Sequence, residues 1–393
     1  MKKILFLPLL RMQSGHHQVA DAIMDMIKIR DENIILKKID IMSYSSKTLE
    51  KVISKNYIKW INIAPKSYDY VYKKRFSPSN DSKNPTKFYE RFFLRKMYDL
   101  ITVEKPDLIV CTHGFPSYLV SKLKRIGRCN IPVINAYTDF FINNFWAKDG
   151  IDLHFVPSKE VKENLIDMYR IPNERIIVTG IPVHEEIKKT THRDFHSVKP
   201  LILIAGGNSG LGGILKLSTE LKNVNQYHFI VLCGNNEELY DEINSWDNDN
   251  IQPLPFISSR EKMNELYDKV DAIITKPGGV TISEALRKRL PIFVHSYLPG
   301  QEKINLTYLK KHQLVFEMNP NESLASQLNA FLKNTEKMNQ WEHSIDIFQQ
   351  EIEMDMPEQI MDVMNWILDT KIKRIPIQKK YRLYNYRLLG FRS

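Results

Sequence analysis

Short apolar runs rich in β-branched residues alternate with amphipathic stretches along most of the chain. The short runs have the length and composition of buried strands, and the longer stretches have helical spacing. This alternation predicts βα units that assemble into parallel sheets. The predicted strands are residues 4–7, 34–41, 107–112, 132–137, 153–156 and 176–179 in the first half, and 201–205, 228–233, 272–275, 291–295 and 314–317 in the second. After Glu336 the pattern is helical, and a last helix is predicted over residues 357–368.

At 393 residues the chain is too long for one ordinary core, so two domains are expected. We predict an N-terminal domain over residues 1–184, a polar linker over 185–199 and a second domain over 200–335. Residues 336–393 are predicted to form C-terminal helices and a basic tail that pack back toward the N-terminal domain. The expected fold is α/β, with two doubly wound Rossmann-like domains facing a central cleft where ligands bind.

The composition, 43% hydrophobic and 26% charged residues, is typical of a soluble globular protein. Cys111, Cys129 and Cys233 include no CxxC pair, which favours a reducing compartment without a structural metal. The N-terminal run MKKILFLPLLRM is interrupted by Pro8, ends at Arg11 and lacks a small-residue cleavage site, so it predicts a buried strand instead of a signal peptide. No stretch has the length and apolarity of a membrane span, and together these features predict a cytoplasmic protein.

The net charge of +10 is concentrated in two segments. Residues 371–393 hold eight Lys or Arg and no Asp or Glu, and residues 51–105 hold thirteen basic and five acidic residues. This distribution predicts an anionic partner surface. No nucleic-acid module is recognised, and aromatic residues among the cations suit a lipid headgroup layer, so we expect peripheral association with the inner face of the cell membrane and no nucleic-acid partner. For residues 51–105 the alternative is a core helix pair with a solvated basic face.

The segment TKPGGVTISEAL directly follows a predicted strand. Gly278 and Gly279 allow the backbone to approach a ligand closely, and the helix after them begins with N–H groups that favour an anion such as a diphosphate. Glu284, in that helix, is near enough for a ribose diol. The alternative is a capping box between Thr281 and Glu284, which would need no ligand.

Two further segments have polar or glycine-rich patterns after strands. AGGNSGLGG resembles loops that cradle phosphates, although it has neither a Walker ending nor GxGxxG spacing. SYLPGQEKIN contains Gln301, Glu302 and Asn305. The Gln and Glu side chains suit recognition of sugar hydroxyls, and a solvated helix start is the alternative. Residues 247–249 have a DxD pattern, but they lie in a polar loop remote from the glycine loops, and we discount them as a metal site.

The candidate base lies in SGHHQVADAI, where His16 and His17 begin a helix. The positive end of the helix dipole opposes a cation there, which lowers the imidazole pKa and predicts a neutral histidine. We take His16 as the functional one. Asp139 lies at a strand end, where it is expected to act as the base or to orient His16. A surface aspartate without a role is the alternative.

Seven segments occur in a characteristic order: SGHHQVADAI, NAYTDFFINNFW, TGIPV, AGGNSGLGG, LCGNNEEL, TKPGGVTISEAL and PGQEKIN. In this order they resemble the monogalactosyl- and processive glucosyl-diacylglycerol synthases, over nearly the whole chain and most closely over residues 131–305. The resemblance implies a GT-B fold, similar to glycosyltransferase family 28, a UDP-sugar donor, a diacylglycerol-type acceptor and inversion of configuration. It also implies no catalytic metal and no cofactor, since the UDP-sugar is a substrate.

The same resemblance assigns site residues. His16 and Asp139 match the acceptor-side histidine and aspartate of the family. The residues implied to bind the donor are Gly206, Gly207, Asn208, Gly234, Asn235, Phe256, Lys276, Gly278, Gly279, Val280, Thr281, Glu284, Gln301, Glu302 and Asn305. Residues 278–281 would hold the diphosphate, Glu284 the ribose, Gln301 and Glu302 the transferred sugar, and the backbone around Phe256 the uracil.

Two departures from the family pattern fall on the acceptor side. PLLRMQSG replaces the glycine-rich loop before the histidine, and Asn143 stands where many members have a histidine. The donor segments are intact, so the departures bear on the identity of the acceptor. The alternative functions are a UDP-sugar 2-epimerase-like enzyme of the same fold and a degenerate, non-catalytic protein that binds a nucleotide sugar or lipid.

Overall fold

The computed structural model describes residues 1–9, 14–45, 87–194, 198–206 and 220–369. The chain divides into two compact units. The first comprises Met1–Pro182 and Ile352–Ser393, and the second comprises Val183–Glu351. Each unit is built around one parallel sheet, as the alternating pattern predicts.

The sheet of the first unit has the order β2-β1-β3-β4-β5-β6, with every pair parallel. Its strands are β1 Lys3–Leu7, β2 Ile35–Lys38, β3 Leu108–Cys111, β4 Val133–Ala136, β5 Leu153–Val156 and β6 Ile176–Val178. After β2 the chain returns to the other side of β1, so the sheet has a topological switch point between β1 and β3. Ligands of open parallel sheets bind outside the carboxyl ends of the strands at such a point.

Five helices cover this sheet in the described part of residues 1–182: α1 Gly15–Arg30, α2 Ile41–Ser45, α3 Lys87–Glu104, α4 Gly114–Arg125 and α5 Lys159–Tyr169. Helix α3 buries Phe93, Leu94 and Met97 at helical spacing in the core, and Phe92 and Tyr98 pack partly buried against it. The described part of the basic, aromatic segment 51–105 therefore forms a core helix, which was the alternative to a membrane face. Residues 46–86 lie outside the described residues.

The sheet of the second unit has the order β12-β11-β10-β7-β8-β9 and is also parallel throughout. Its strands are β7 Leu201–Ala205, β8 His228–Gly234, β9 Ile251–Pro255, β10 Ala272–Thr275, β11 Ile292–Val294 and β12 Phe316–Glu317. Its helices over the described residues are α6 Glu237–Asn244, α7 Arg260–Lys269, α8 Gly279–Arg287, α9 Gln301–Lys311, α10 Leu324–Leu332 and α11 Thr335–Gln350. The switch point lies between β7 and β10, and both strands lead into the glycine segments singled out above.

Strand β9 was not predicted from the sequence. It contains Pro253 and Pro255, which lack the N–H group that a central strand must donate. The strand pairs with β8 and forms the edge of its sheet, where one side needs no ladder donor. Its position at the edge explains why the prolines are tolerated.

The predicted linker packs on the second unit instead of spanning between units. Ile187 is fully buried, and its carbonyl accepts a hydrogen bond from Arg287 Nε at 2.9 Å. Arg193 Nη2 donates to the carbonyl of Tyr267 at 2.6 Å. A few separate contacts hold this polar segment in place. Because they do not recur at a helical or strand spacing, the sequence shows no apolar periodicity there.

The chain returns to the first unit at residue 352. Glu353 accepts a hydrogen bond from the backbone N–H of Val178 in β6 at 2.9 Å. The last described helix, α12 Pro357–Asp369, matches the predicted helix 357–368, and its Glu358 pairs with Arg30 of α1 at 2.6 Å. Helix α11 differs from the prediction, because it belongs to the second unit. The basic tail lies outside the described residues.

Two sequence-level features are visible in the described residues. Cys111, Cys129 and Cys233 are buried free thiols. Among the helices described, none combines the length and apolarity that crossing a membrane requires.

Candidate active site

The switch point of the first unit brings together residues that are far apart in the sequence. Leu7 of β1 pairs with Cys111 of β3, so Thr112 and the start of α1 meet at the carboxyl edge of the sheet. Thr138, just after β4, also reaches this edge. The result is a cluster around His16, at the position where the fold predicts a ligand.

The ring of His16 is held by its Nδ1 atom. Nδ1 lies 3.0 Å from the carbonyl oxygen of Thr112 and 2.9 Å from the hydroxyl oxygen of Thr138. A carbonyl oxygen only accepts hydrogen bonds, so Nδ1 must carry the proton. The hydroxyl of Thr112 also donates to the carbonyl of His16 at 2.8 Å. These contacts set the tautomer and the orientation of the ring.

His16 is neutral at physiological pH. Burial is the main cause that lowers its pKa from 6.5 to about 4, opposed by the hydrogen bond to Thr112 and reinforced by His17. The sequence predicted a neutral ring from the helix dipole, but burial is the larger effect in the structure. With the Nδ1 proton engaged by Thr112, Nε2 carries the lone pair, which is the form that a general base requires.

Asp139 lies in a bend after β4 and is partly exposed. Thr138, its neighbour, contacts the His16 ring. Among the described residues, the groups bonded to that ring are Thr112 and Thr138. Thr112 and Thr138 thus hold the ring through Nδ1, and an orienting role for Asp139 beside them stays a prediction. A role for Asp139 as base stays a prediction.

His113 is a second histidine in this cluster, and the sequence analysis missed it. Its ring lies 4.6 Å from that of His16, centroid to centroid, with an interplanar angle of 84°. The side chain caps α4, because Nδ1 accepts a hydrogen bond from the N–H of Phe115 at 2.9 Å. Burial lowers the pKa of His113 well below 6.5. Asp139 was singled out because functional residues of parallel sheets often follow the carboxyl end of a strand. The same signal could have identified residues 112 and 113, which follow β3.

In the second unit, the segment after β10 forms an open turn into α8. Gly278 is the N-cap of this helix and has an ordinary φ of −83°. A Cβ placed on Gly278 would meet no atom within 4 Å. No side chain caps the helix in the described structure, so its first N–H groups at Gly279, Val280 and Thr281 have no side-chain acceptor. This geometry leaves room for an anion at the helix start.

The capping-box alternative is wrong, because Gly278 and not Thr281 is the N-cap. Thr281 and Lys276 are partly exposed beside the turn. Glu284 lies one turn further on and is 7% exposed. Its Oε2 atom accepts a hydrogen bond from the hydroxyl of Tyr267 at 2.9 Å, while burial raises the pKa of the carboxyl group. Tyr267 positions the carboxylate, a contact the sequence did not indicate.

The three polar residues of the segment after β11 differ in their exposure to solvent. Gln301 and Glu302, at the start of α9, are partly exposed, and Glu302 accepts a hydrogen bond from the backbone N–H of Leu298. Asn305 is 1% exposed and its amide donates to the carbonyl of Pro277 at 3.1 Å. Asn305 therefore supports the glycine turn from inside the protein, and its predicted contact with the donor stays a prediction.

The remaining donor-side residues lie at neighbouring strand ends. Gly206 follows β7 and is buried, while Gly207 and Asn208 lie outside the described residues. Gly234 ends β8 with a φ of +61°, which favours glycine, and Asn235 beside it is exposed. Phe256 follows β9 and is 39% exposed.

His295 is another residue that sequence analysis missed on the donor side. The pairing of Thr275 with Val294 places it opposite Lys276, one step beyond the ladder of β10 and β11. Burial, with a smaller effect of Lys276, lowers its pKa to about 4. Its Nε2 atom is buried and has no hydrogen-bond partner in the described structure. This leaves a neutral polar group at the strand end beside the glycine turn.

No group of three or more His, Cys, Asp or Glu side chains among the described residues is placed to hold a metal ion. The DxD pattern at residues 247–249 accordingly lies outside any such group. The donor-side features described above are backbone N–H groups, glycines and the side chain of Lys276.

Comparison with known proteins agrees with this architecture. Residues 16–183 match the model of the monogalactosyldiacylglycerol (MGDG) synthase family, and residues 206–345 match that of the glycosyl transferases group 1. A crystal structure of MurG from Acinetobacter baumannii superposes with a TM-score of 0.60 at 16% identity, covering 93% of this chain and 99% of that one. This likeness shows the two-domain α/β fold of the GT-B glycosyltransferases.

Two relatives cover most of the chain. An uncharacterised glycosyltransferase of Bacillus subtilis strain 168, YkoN, is 39% identical over 351 residues, which is 88% of this chain and 92% of YkoN. A processive diacylglycerol β-glucosyltransferase of Bacillus cereus strain G9842 is 28% identical over 344 residues, 84% of this chain and 86% of that protein. The chain therefore belongs to the glycosyltransferase family of the monogalactosyldiacylglycerol synthases and processive diacylglycerol glucosyltransferases.

Proposed function

We propose that this glycosyltransferase moves a hexosyl group, with inversion, from a UDP-sugar to the hydroxyl of a membrane lipid, diacylglycerol or a glycosyl-diacylglycerol. The observation that carries the proposal is the state of His16. Its Nδ1 proton is bound to the carbonyl of Thr112 and its pKa is about 4, so Nε2 is an unprotonated base at neutral pH.

On the acceptor side, Nε2 of His16 takes the proton of the acceptor hydroxyl while its oxygen attacks the anomeric carbon. The imidazolium that forms is stabilised by Thr112, because the bond from Nδ1 to its carbonyl strengthens when the ring becomes positive. Inversion follows from a single displacement, in which the new C–O bond forms opposite the bond to the leaving diphosphate.

On the donor side, the first N–H groups of α8 and the cation of Lys276 receive the negative charge of the departing diphosphate. The open space at Gly278 supports this role, since it leaves room for a phosphate group beside the first N–H groups of α8. Glu284, fixed by Tyr267, is assigned to the ribose diol. Gln301 and Glu302 are assigned to the hydroxyls of the transferred sugar.

Two separate observations support the proposal of a lipid acceptor. The Bacillus cereus relative is named as a diacylglycerol glucosyltransferase, and the chain shares most of its length with it. The eight cations of residues 371–393, with no acidic residue among them, favour an anionic bilayer surface. Peripheral attachment to the inner face of the membrane is part of the same proposal.

Purified protein should be incubated with UDP-glucose, UDP-galactose, UDP-N-acetylglucosamine or UDP-glucuronate, each with and without a membrane lipid extract. Release of UDP that depends on lipid, with a glycolipid of matching mass, is the expected result. A β-linked product from the α-linked donor establishes inversion. An isomerised UDP-sugar without lipid would instead identify a 2-epimerase. Binding of UDP without any turnover would identify a degenerate sensor.

A further inference from the structure

The tautomer of His113 is set by the cap that it forms. The backbone N–H of Phe115 donates to its Nδ1 atom at 2.9 Å, and a backbone N–H can only donate. Nδ1 therefore holds the lone pair, and in a neutral ring the proton lies on Nε2. Burial keeps the ring neutral, since it lowers the pKa of His113 well below 6.5.

His16 has the opposite tautomer. Its Nδ1 atom carries the proton and its Nε2 atom carries the lone pair. The two rings meet edge to face with centroids 4.6 Å apart. In the part of the chain that the structure describes, neither Nε2 atom has a hydrogen-bond partner. One site thus presents a hydrogen-bond acceptor and a hydrogen-bond donor on adjoining rings, and both side chains are only partly covered by protein.

Such a pair matches a ligand that offers a hydroxyl group next to a second oxygen. We propose that His113 is an acceptor-specificity residue whose Nε2–H donates to the oxygen adjacent to the reacting hydroxyl. In a diacylglycerol that oxygen belongs to the neighbouring ester, and in a glycosyl acceptor it belongs to the neighbouring hydroxyl. His16 takes the proton from the reacting hydroxyl, and His113 holds the adjacent oxygen without exchanging a proton. The inference rests on the proposed transfer to a hydroxyl acceptor.

The pairing predicts a requirement in the acceptor. An alcohol that lacks the adjacent oxygen leaves the N–H of His113 without an acceptor in a half-buried site, and unsatisfied polar groups there are costly. The acceptors to compare are 1,2-dioctanoylglycerol and a plain long-chain alcohol, presented in the same detergent micelles. We expect kcat/KM of the parent protein to favour the glycerolipid by about tenfold or more.

The informative variant is His113→Asn. Asparagine is a good N-cap, so its side chain can still accept from Phe115 N–H and keep α4 in place, while the imidazole N–H is lost. We expect the ratio of kcat/KM between the two acceptors to fall about tenfold, with an unchanged melting temperature. His113→Ser, also a good N-cap, should behave alike.

The outcomes separate the two proposals. Transfer by the parent to both acceptors at equal kcat/KM overturns the role of His113 and leaves the glycosyltransfer intact. A variant that loses activity equally on both acceptors also overturns it, because His113 would then act only by supporting His16. Failure of the parent to glycosylate either acceptor with any UDP-sugar overturns the lipid acceptor and the inference together.

Discussion

Thr112 and His16 bind each other at two points. The Thr112 carbonyl accepts a hydrogen bond from the His16 ring at 3.0 Å, and the Thr112 hydroxyl donates to the His16 backbone carbonyl at 2.8 Å. One residue at the end of β3 thereby fixes both the backbone and the ring of a residue in the first turn of α1. The arrangement specifies which imidazole nitrogen is available to a substrate.

Replacing His16 should remove the base and leave the donor site unchanged. We expect His16→Ala to lower kcat by about a hundredfold or more, the usual effect of losing a general base. Calorimetry should show that this variant binds UDP with the same affinity as the parent protein. His17→Ala is the control, since it changes the adjacent histidine in the same helical turn. If Asp139→Asn abolishes turnover while His16→Ala retains it, the base is Asp139.

Acid should inactivate the enzyme at an unusually low pH for a histidine base. The pKa of His16 is about 4 in the folded protein, so its lone pair persists below 6.5, and we expect the acid limb of kcat/KM near pH 4. A limb near pH 6.5 would show that the ring is solvated.

The free energy of unfolding should decrease as the pH is lowered from 6.5 to 4. The pKa values of His16 and His295 are about 4 and that of His154 is about 3, all lowered by burial from 6.5. Between pH 4 and 6.5 the unfolded chain binds more protons than the folded one, so the free energy of unfolding increases with pH until about 6.5. Urea titrations at several pH values measure this slope and separate it from the loss of activity. A free energy of unfolding that stays constant between pH 6.5 and 5 would contradict the prediction.

A methyl group at Gly278 should block the donor without harming the fold. Gly278→Ala has an allowed φ and meets no protein atom, so its melting temperature should be close to that of the parent. We expect UDP binding to weaken by about 1 to 3 kcal/mol, the cost of forcing a methyl into an occupied site.

Gly127→Ala is the control variant, for which we expect the reverse pattern of effects on stability and UDP binding. Gly127 also faces open space, but its φ of +74° disfavours alanine, which should lower stability by about 1 kcal/mol and leave UDP affinity unchanged. If Gly278→Ala binds UDP as tightly as the parent protein, the diphosphate does not bind at this turn.

The carboxylate of Glu284 should bind the ribose through a charged hydrogen bond. Glu284→Ala is expected to weaken UDP binding by about 1.5 to 3 kcal/mol. Tyr267→Phe removes the hydroxyl that holds Glu284 Oε2, and we expect a smaller loss. Calorimetry with UDP and with uracil identifies the contact, since uracil has no ribose. If both variants only lower the melting temperature, Glu284 and Tyr267 form a core pair.

The protein should bind anionic vesicles and not zwitterionic ones. Basic side chains near an anionic leaflet contribute about 1 kcal/mol each, and the effect decreases with salt. Cosedimentation should be reversed by high salt and reduced by removal of residues 371–393. A full-length variant with the eight cations of this segment changed to Gln separates charge from length. Equal binding to both vesicle types, or none to either, would contradict peripheral attachment.

Local pattern determined most strands with high accuracy. The predicted ranges 153–156, 201–205 and 272–275 coincide with β5, β7 and β10, because apolar runs bounded by turn residues define short buried strands. The edge strand β9 and the packed segment 183–194 were missed. Both depend on contacts with one neighbour, which neither hydrophobic period nor composition reveals.

The sequence by itself determined the order of βα units, the family and the segments that hold Gly278, Glu284 and His16, since motif and strand signals are local. Only the tertiary structure decided the partners of these residues. Thr112 and His113 are about a hundred positions from His16 and reach it because β3 pairs directly with β1. The cap at Gly278 and the burial of Glu284 against Tyr267 likewise depend on how helices pack. Strand order and packing arise from long-range burial of apolar surface, which a local pattern does not encode.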